Sequence, residues 1–236
     1  LQTISMKLRE KIEEIKLQTG AEKVIVLSHS MGGLILKEYL RQYGGESIKD
    51  FIDVATPHIG APRSFTNLMY GHTDVAILNQ DIVKLISQNM SSLYELLPSS
   101  AYGTYLYDLD DLDDNGVSGP LSYAQTNDFM KNTGRNALLV DRAEQFHLEI
   151  DNIDPTDYGV ETYNIVGCGT PTLDKIFILD KEASGGVEYN ISYTNGDGTV
   201  PLKSAEALSA NKTYYLENVT HALMPSTTGV KELISE

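Results

Sequence analysis

The sequence has few of the features that support disulfide bonding, membrane insertion or binding to polyanions. The single cysteine, Cys168, cannot form a disulfide within the chain. No apolar run approaches the roughly 18 residues that a membrane span needs, so we expect no stable membrane insertion. Lys and Arg number 18 against 33 Asp and Glu, and the formal net charge of −15 predicts no binding to nucleic acid or to anionic lipid surfaces.

The remaining composition is that of a folded domain. Hydrophobic residues make up 41% and charged residues 22% of 236 residues, which favours one domain, or one domain with a large insertion. No secretory signal is visible in the sequence, and its first residue is Leu1 rather than Met. We expect a soluble chain of undetermined localisation, and a secreted protein whose signal was removed upstream of Leu1 is one interpretation.

Apolar periodicity in the first quarter alternates between helix and strand patterns. Residues 5–17 and 34–43 have the three- and four-residue apolar spacing of helices, whereas residues 23–27 form a continuous β-branched run and residues 48–55 are interpreted as a second buried strand. Continuous apolar runs are typical of strands that are buried on both faces. The alternation therefore predicts an α/β fold in which helices flank a parallel sheet.

The middle of the chain has a different pattern. Residues 63–158 contain short helix-like stretches and an acidic loop, which we interpret as a mostly helical or irregular cap inserted into the fold. Strand patterns resume at residues 161–166, form a predicted hairpin over 176–179 and 187–193, and end at 212–216. The predicted organisation is a first core segment at 1–62, a cap at 63–158 and a second core segment at 159–236.

Ser30 lies between the first predicted strand and the helix that follows it. A sharp strand-to-helix turn of this kind exposes a serine nucleophile and brings the residues two before and two after it together. Ser28 and Gly32 are small enough for that crowding, and Gly33 allows the helix to pack closely. The Met31 backbone N–H lies at the helix N-terminus, where it can donate to an oxyanion. The alternative is a tight turn with an ordinary capping serine.

A nucleophilic serine needs a base and an acid that orients the base. In this kind of fold they follow the serine in the order acid, then histidine. His221 follows the last predicted strand, and Asp197 lies 24 residues before it in a glycine-flanked loop. Asp174 and Asp180 are competing acids, and Asp197 could equally be a polar turn residue.

Four sequence blocks resemble the lecithin:cholesterol acyltransferase-like branch of the α/β-hydrolases, which includes phospholipases, lipases and esterases. These blocks are SHSMGG at 28–33, TPHIGAP at 56–62, VGCGTPT at 166–172 and GDGTVP at 196–201. The resemblance implies Ser30 as nucleophile, Asp197 as triad acid and His221 as base. It also implies hydrolysis of carboxylic acyl esters through an acyl-enzyme, or acyl transfer, without a cofactor.

The sequence departs from this family before Ser30. Only 29 residues precede it, whereas family members carry several further strands and a loop that supplies a second oxyanion donor. We therefore expect the C-terminal part of a longer acyltransferase or phospholipase, or a trimmed core. In either case Val24, Val26 and Ile52 would need a partner, either an N-terminal portion of the same enzyme or a second copy at the open sheet edge. A catalytically weak or inactive hydrolase-like binding module is the alternative function.

A second, weaker motif lies in the acidic loop. Asp111, Asp113 and Asn115 match the first, third and fifth positions of an EF-hand calcium loop. The twelfth position is Ser122 rather than Glu, so the bidentate ligand is missing. A solvated acidic turn is the preferred interpretation, and we predict no metal or other cofactor.

Overall fold

The computed structural model describes residues 1–72, 79–110, 119–180 and 188–235. The strands are β1 (Val24–His29), β2 (Ile48–Val54), β3 (Leu106–Asp108), β4 (Gly119–Pro120), β5 (Glu161–Cys168), β6 (Thr170–Asp180), β7 (Glu188–Gly196) and β8 (Lys212–Glu217). The α-helices are α1 (Gln2–Thr19), α2 (Gly32–Tyr43), α3 (Arg63–Tyr70), α4 (Gln80–Ser87), α5 (Ser91–Tyr94), α6 (Tyr123–Asn132), α7 (Ala137–Ile150), α8 (Leu202–Ala205) and α9 (Thr228–Ser235). Short 3-10 helices occupy Ser100–Tyr102, Pro155–Tyr158 and His221–Ser226.

The chain divides into two units, each with its own sheet. The first unit consists of Leu1–His58, His147–Pro171 and Asn195–Glu236, and the second of Ile59–Phe146 and Thr172–Thr194. The first unit contains a four-stranded sheet in the order β1-β2-β5-β8, and every pair in it is parallel. The predicted α/β fold with a parallel sheet flanked by helices is therefore confirmed.

One face of the parallel sheet packs against α1 and α2. Its core is formed by buried residues from both helices and from β2, and Val24 and Val26 of β1 pack against this core. The buried members are Ile12, Leu36, Tyr39, Leu40, Ile48, Phe51 and Val160. The opposite face packs, in part, against the His221–Ser226 turn and α9 through Met224 and Val230.

The face of β1 that stays open differs from the prediction. The side chains of Ile25 and Leu27 are 58% and 52% exposed, whereas Val24 and Val26 pack against the α1–α2 core. Alternate residues of a strand point to opposite faces, and a continuous apolar run does not reveal which set is covered. The expectation that Val24 and Val26 lack a partner is therefore wrong, whereas Ile52 lines a groove of about 560 Å³ beside Ile25.

The second unit contains the sheet β4-β3-β6-β7 and a separate core. Tyr102 and Tyr105 are buried in this core, which explains part of the tyrosine-rich segment by packing. Residues 172–194 belong to this unit because β6 pairs with β3, whereas the sequence pattern assigns them to the second core segment. Strands of two and three residues, such as β4 and β3, give no recognisable alternation in a sequence.

Three further expectations concern membrane-spanning helices, the predicted hairpin and the calcium candidates. Within the described part of the chain, no helix is both long and apolar enough to cross a bilayer. The turn of the predicted hairpin falls at residues 181–187, which lie outside the described residues. The calcium candidates Asp111, Asp113 and Asn115 lie outside them too, so that assignment stays a prediction.

Candidate active site

Ser30 occupies a sharp turn between β1 and α2. Its φ of 56° places it in the left-handed region, which non-glycine residues rarely adopt. The Ser30 N–H donates to the Val54 carbonyl at 2.9 Å, which ties the turn to the neighbouring strand. A Cβ atom on Gly32 would lie 3.2 Å from Ser28 Cβ, so the predicted crowding across the turn is present.

His221 begins the 3-10 helix that follows β8, and its ring reaches the serine. The Nε2 atom of His221 lies 2.9 Å from Ser30 Oγ, and its Nδ1 atom lies 2.7 Å from Asp197 Oδ2. The His221 backbone N–H also donates to the Asp197 carbonyl oxygen at 2.9 Å. Both the ring and the main chain of His221 are therefore held by the same aspartate.

Asp197 is buried, and both of its carboxylate oxygens accept hydrogen bonds. Oδ1 accepts the backbone N–H groups of Thr199 and Val200 at 2.9 and 2.7 Å, which leaves Oδ2 for His221. A buried carboxylate is costly unless its oxygens accept hydrogen bonds, and this loop supplies the donors. Asp174, a competing acid, instead accepts the Tyr102 hydroxyl at 2.9 Å within the second unit. The side chain of Asp180 lies outside the described residues.

His29 also contributes to this site, in a role that is not among those predicted from the sequence. Its ring centroid lies 4.7 Å from that of His221, and its Nε2 atom lies 3.1 Å from the His221 carbonyl oxygen. Burial lowers the pKa of His29, and a positive charge on His221 lowers it further. A neutral His29 can therefore donate to that carbonyl and support the loop that carries His221. Its position next to Ser30 was the available signal.

Met31 lies directly before the first residue of α2. The first N–H groups of a helix have no carbonyl acceptor within the helix, and the helix dipole favours negative charge there. The Met31 N–H, which the sequence analysis gives as an oxyanion donor, lies beside Ser30 at a position that favours negative charge.

The arrangement can perform nucleophilic chemistry without a metal. A hydroxyl, an imidazole and a carboxylate form a continuous hydrogen-bond chain within the first unit, and this is the order that serine nucleophiles require. Among the described residues, no cluster of three His, Cys, Asp or Glu side chains could hold a metal ion.

Comparison with known proteins identifies relatives at the levels of family and fold. Lecithin-cholesterol acyltransferase-like 1 of Arabidopsis thaliana is 25% identical over 242 residues, covering 97% of this chain and 53% of that protein. The chain thus spans about half the length of this curated relative. A structure from the Tle4–Tli4 complex matches 98% of the chain and 64% of its own length, with 15% identity and a TM-score of 0.71. Bacillus licheniformis lipase BlEst2 matches at 14% identity and a TM-score of 0.48, covering 99% of this chain and 72% of its own.

The family assignment agrees with the first two of the four sequence blocks, which lie within the matched range. The lecithin:cholesterol acyltransferase family model matches residues 3–152, which is more than half of the chain and includes Ser30. The resemblance inferred from the sequence is thereby confirmed: the chain belongs to the lecithin:cholesterol acyltransferase family, and its first unit has the parallel sheet and flanking helices of an α/β-hydrolase.

Proposed function

We propose that this chain cleaves carboxylic acyl esters, with Ser30 as nucleophile, His221 as general base and acid, and Asp197 as the residue that orients His221. The observation that carries the proposal is the continuous hydrogen-bond chain from Asp197 Oδ2 through the His221 ring to Ser30 Oγ. Membership of the lecithin:cholesterol acyltransferase family supports the same class of reaction.

The first half-reaction transfers the acyl group to the enzyme. Ser30 Oγ attacks the ester carbonyl carbon while His221 Nε2 takes the hydroxyl proton, and the carbonyl oxygen becomes an oxyanion that Met31 N–H stabilises. The C–O bond to the leaving group then breaks, and His221 returns the proton to the departing alcohol. Asp197 holds the His221 tautomer and stabilises the imidazolium.

The second half-reaction releases the acyl group. Water gives up a proton to His221 and attacks the acyl-enzyme, and collapse of the intermediate restores the Ser30 hydroxyl and yields a carboxylic acid. An alcohol in place of water would give a new ester, so the same residues support acyl transfer. The acceptor decides between the two outcomes.

The charge of the chain bears on the substrate. A net charge of −15 and the lack of tryptophan disfavour tight contact with an anionic lipid surface. We therefore propose a preference for dispersed esters of short or medium acyl chains over esters in anionic bilayers.

A non-catalytic binding module is the second candidate function. It is favoured by the oxyanion site, where Met31 N–H is the one donor that we assign within the described residues. Loss of one oxyanion donor lowers the rate by about 10²–10³-fold in enzymes that use two. A second donor could come from a polypeptide segment that covers the open edge of β1.

Ester hydrolysis separates the two candidates. We expect release of p-nitrophenol from dispersed acetate, butyrate and octanoate esters, no release by Ser30→Ala, and little stimulation by phosphatidylglycerol vesicles. Addition of a primary alcohol, with analysis of the products, gives the division between hydrolysis and acyl transfer. A folded protein with no Ser30-dependent turnover would support the binding module, and strong activation by the vesicles would contradict the substrate preference.

A further inference from the structure

A second hydrogen-bond network lies directly behind the serine turn and is centred on Asp53 of β2. Asp53 is fully buried, and its neighbour in register on β1 is Ser28. Its Oδ1 atom lies 2.5 Å from Ser28 Oγ and 2.6 Å from Thr56 Oγ1, and its Oδ2 atom lies 3.0 Å from His58 Nε2. The carboxylate thus joins the ends of β1 and β2 and the loop after β2.

The side chains around the Asp53 carboxylate satisfy its hydrogen-bonding capacity. An isolated buried carboxylate is unstable, so the polar side chains around it satisfy a group that an apolar residue would not need. Burial lowers the pKa of His58, which favours a neutral ring that donates through Nε2. Within the described part of the chain, His58 Nδ1 has no hydrogen-bond partner, as fits a nitrogen without a proton.

Thr56 connects this network to the nucleophile. Its Oγ1 atom lies 2.6 Å from Asp53 Oδ1 and 2.6 Å from the backbone carbonyl oxygen of Ser30, and its one proton is shared between these two acceptors. The Ser30 N–H is held on its other side by Val54. The left-handed Ser30 residue is therefore fixed at both of its peptide groups by β2 and the residues that follow it.

Asp53 and Thr56 also lie close to the first turn of α2. A Cβ atom on Gly33 would collide with Thr56 Oγ1 and would lie 2.5 Å from Asp53 Oδ1. Only a glycine allows the first turn of α2 to approach the pair this closely. The Met31 N–H follows the Ser30 carbonyl that Thr56 contacts, and it precedes Gly33, which passes close to Thr56 and Asp53.

We propose that Asp53 and Thr56 are positioning residues, which hold Ser30 Oγ towards His221 and the Met31 N–H towards the oxyanion. This inference rests on the proposed function, because it assigns a role in that reaction. Asp53 touches no reacting atom and acts through Thr56. Displacements of about 1 Å at a nucleophile reduce rates by about 10²-fold, so removal of the Thr56 hydroxyl should lower turnover more than substrate binding.

The test compares three threonine variants. Thr56→Val removes the hydroxyl at constant shape, and Thr56→Ser retains it. Thr162→Val is the matched control, because Thr162 is also fully buried and its hydroxyl also donates to a backbone carbonyl, that of Val160. Each variant is measured for kcat and KM with p-nitrophenyl butyrate, for the rate of fluorophosphonate labelling at Ser30 and for its melting temperature.

We expect Thr56→Val to lower kcat and the labelling rate by about 10- to 100-fold with KM within about twofold. Thr56→Ser should recover most of the loss, and Thr162→Val should retain kcat even if its melting temperature falls by the same amount. A folded Thr56→Val protein with kcat near that of the wild type would overturn the inference alone. Wild-type protein without Ser30-dependent turnover would overturn the proposed function together with it.

A folding defect is handled with a second variant. If Thr56→Val does not fold, Thr56→Ala replaces it, since alanine also removes the hydroxyl and leaves the Asp53 carboxylate in place. The expected result is the same loss of kcat at nearly constant KM. Failure of both variants to fold would assign the pair to folding and would overturn the positioning role.

Discussion

The Nε2 atom of His221 lies 2.9 Å from Ser30 Oγ, although 191 positions separate the two residues in the chain. The two residues follow β8 and β1, which are the opposite edges of the four-stranded parallel sheet. Strands in a sheet are about 4.8 Å apart, so the segment after β8 must return across roughly 14 Å to reach the serine. Hydrogen bonds from His221 to Asp197 and from His29 to the His221 carbonyl hold it there.

Substitutions in the hydrogen-bond chain should give non-additive losses. Ser30→Ala, His221→Ala and Asp197→Asn should each reduce p-nitrophenyl ester hydrolysis by about 10³-fold or more, because the three groups act as a unit. The double variant Ser30→Ala/His221→Ala should be no slower than Ser30→Ala alone. Initial rates at saturating ester test this. If Asp197→Asn retained nearly full activity, Asp197 would not be the acid, and Asp180 would be examined next.

Replacement of His29 should weaken the placement of His221. The hydrogen bond from His29 Nε2 to the His221 carbonyl contributes about 0.5–1.5 kcal/mol, so His29→Leu should lower kcat by about 2- to 10-fold. His29→Gln retains a donor and should lose less. Equal kcat values for the Leu and Gln variants would show that the hydrogen bond does not matter.

The buried Lys37 should make stability depend on pH in the alkaline range. Its Nζ atom donates to the Asp151 backbone carbonyl at 3.1 Å, and burial lowers its pKa from 10.5 to about 8. Between these two values the unfolded chain keeps a proton that the folded chain has lost, so the free energy of unfolding rises with pH. Each pH unit contributes about 1.4 kcal/mol from this residue.

Urea unfolding of the wild type and of Lys37→Met isolates this contribution. The methionine variant should be more stable than the wild type at pH 7, where Lys37 is charged at a cost, and the advantage should shrink by pH 9. The other titrating groups are common to both proteins and cancel in the difference. A difference in unfolding free energy that stays constant from pH 7 to pH 9 would contradict the lowered pKa.

The open edge of β1 should cause self-association when this chain is studied alone. Ile25 and Leu27 are more than half exposed on an edge strand of the described sheet, and such edges pair with other strands. Size-exclusion chromatography with light scattering should therefore give a mass above that of one chain. Ile25→Lys/Leu27→Lys should shift it towards one chain, whereas Lys7→Glu/Lys11→Glu on α1 should not. A sharply melting wild-type monomer would count against association through this edge.

The sequence predicts the fold correctly where the apolar pattern of an element and the motif that follows it indicate the same structure. The predicted strands at 23–27 and 48–55 overlap β1 and β2, and the predicted helices at 5–17 and 34–43 lie within α1 and α2. The residues predicted as nucleophile, acid and base are joined by hydrogen bonds. Ser30 and His221 follow β1 and β8 of the parallel sheet, in which the carboxyl ends of the strands share one edge, whereas Asp197 follows β7 of the other sheet.

The remaining features depend on packing that a sequence does not display. The exposed pair proved to be Ile25 and Leu27, because a continuous apolar run looks the same in either orientation. Asp53 is one of three charged residues in β2, and its buried contact to Ser28 arises only when β1 and β2 pair. The short strands of the second unit form through partners that are distant in the chain.

Covalent labelling tests the central claim most directly, because it needs no knowledge of the natural ester. The wild-type chain, Ser30→Ala and a denatured wild-type sample are incubated with a fluorophosphonate and analysed by intact-mass and peptide mass spectrometry. The account predicts one adduct per folded wild-type chain, located on Ser30, and none on the other two samples. A correctly folded wild-type protein that takes up no label, or takes it up at another residue, would contradict a catalytic Ser30.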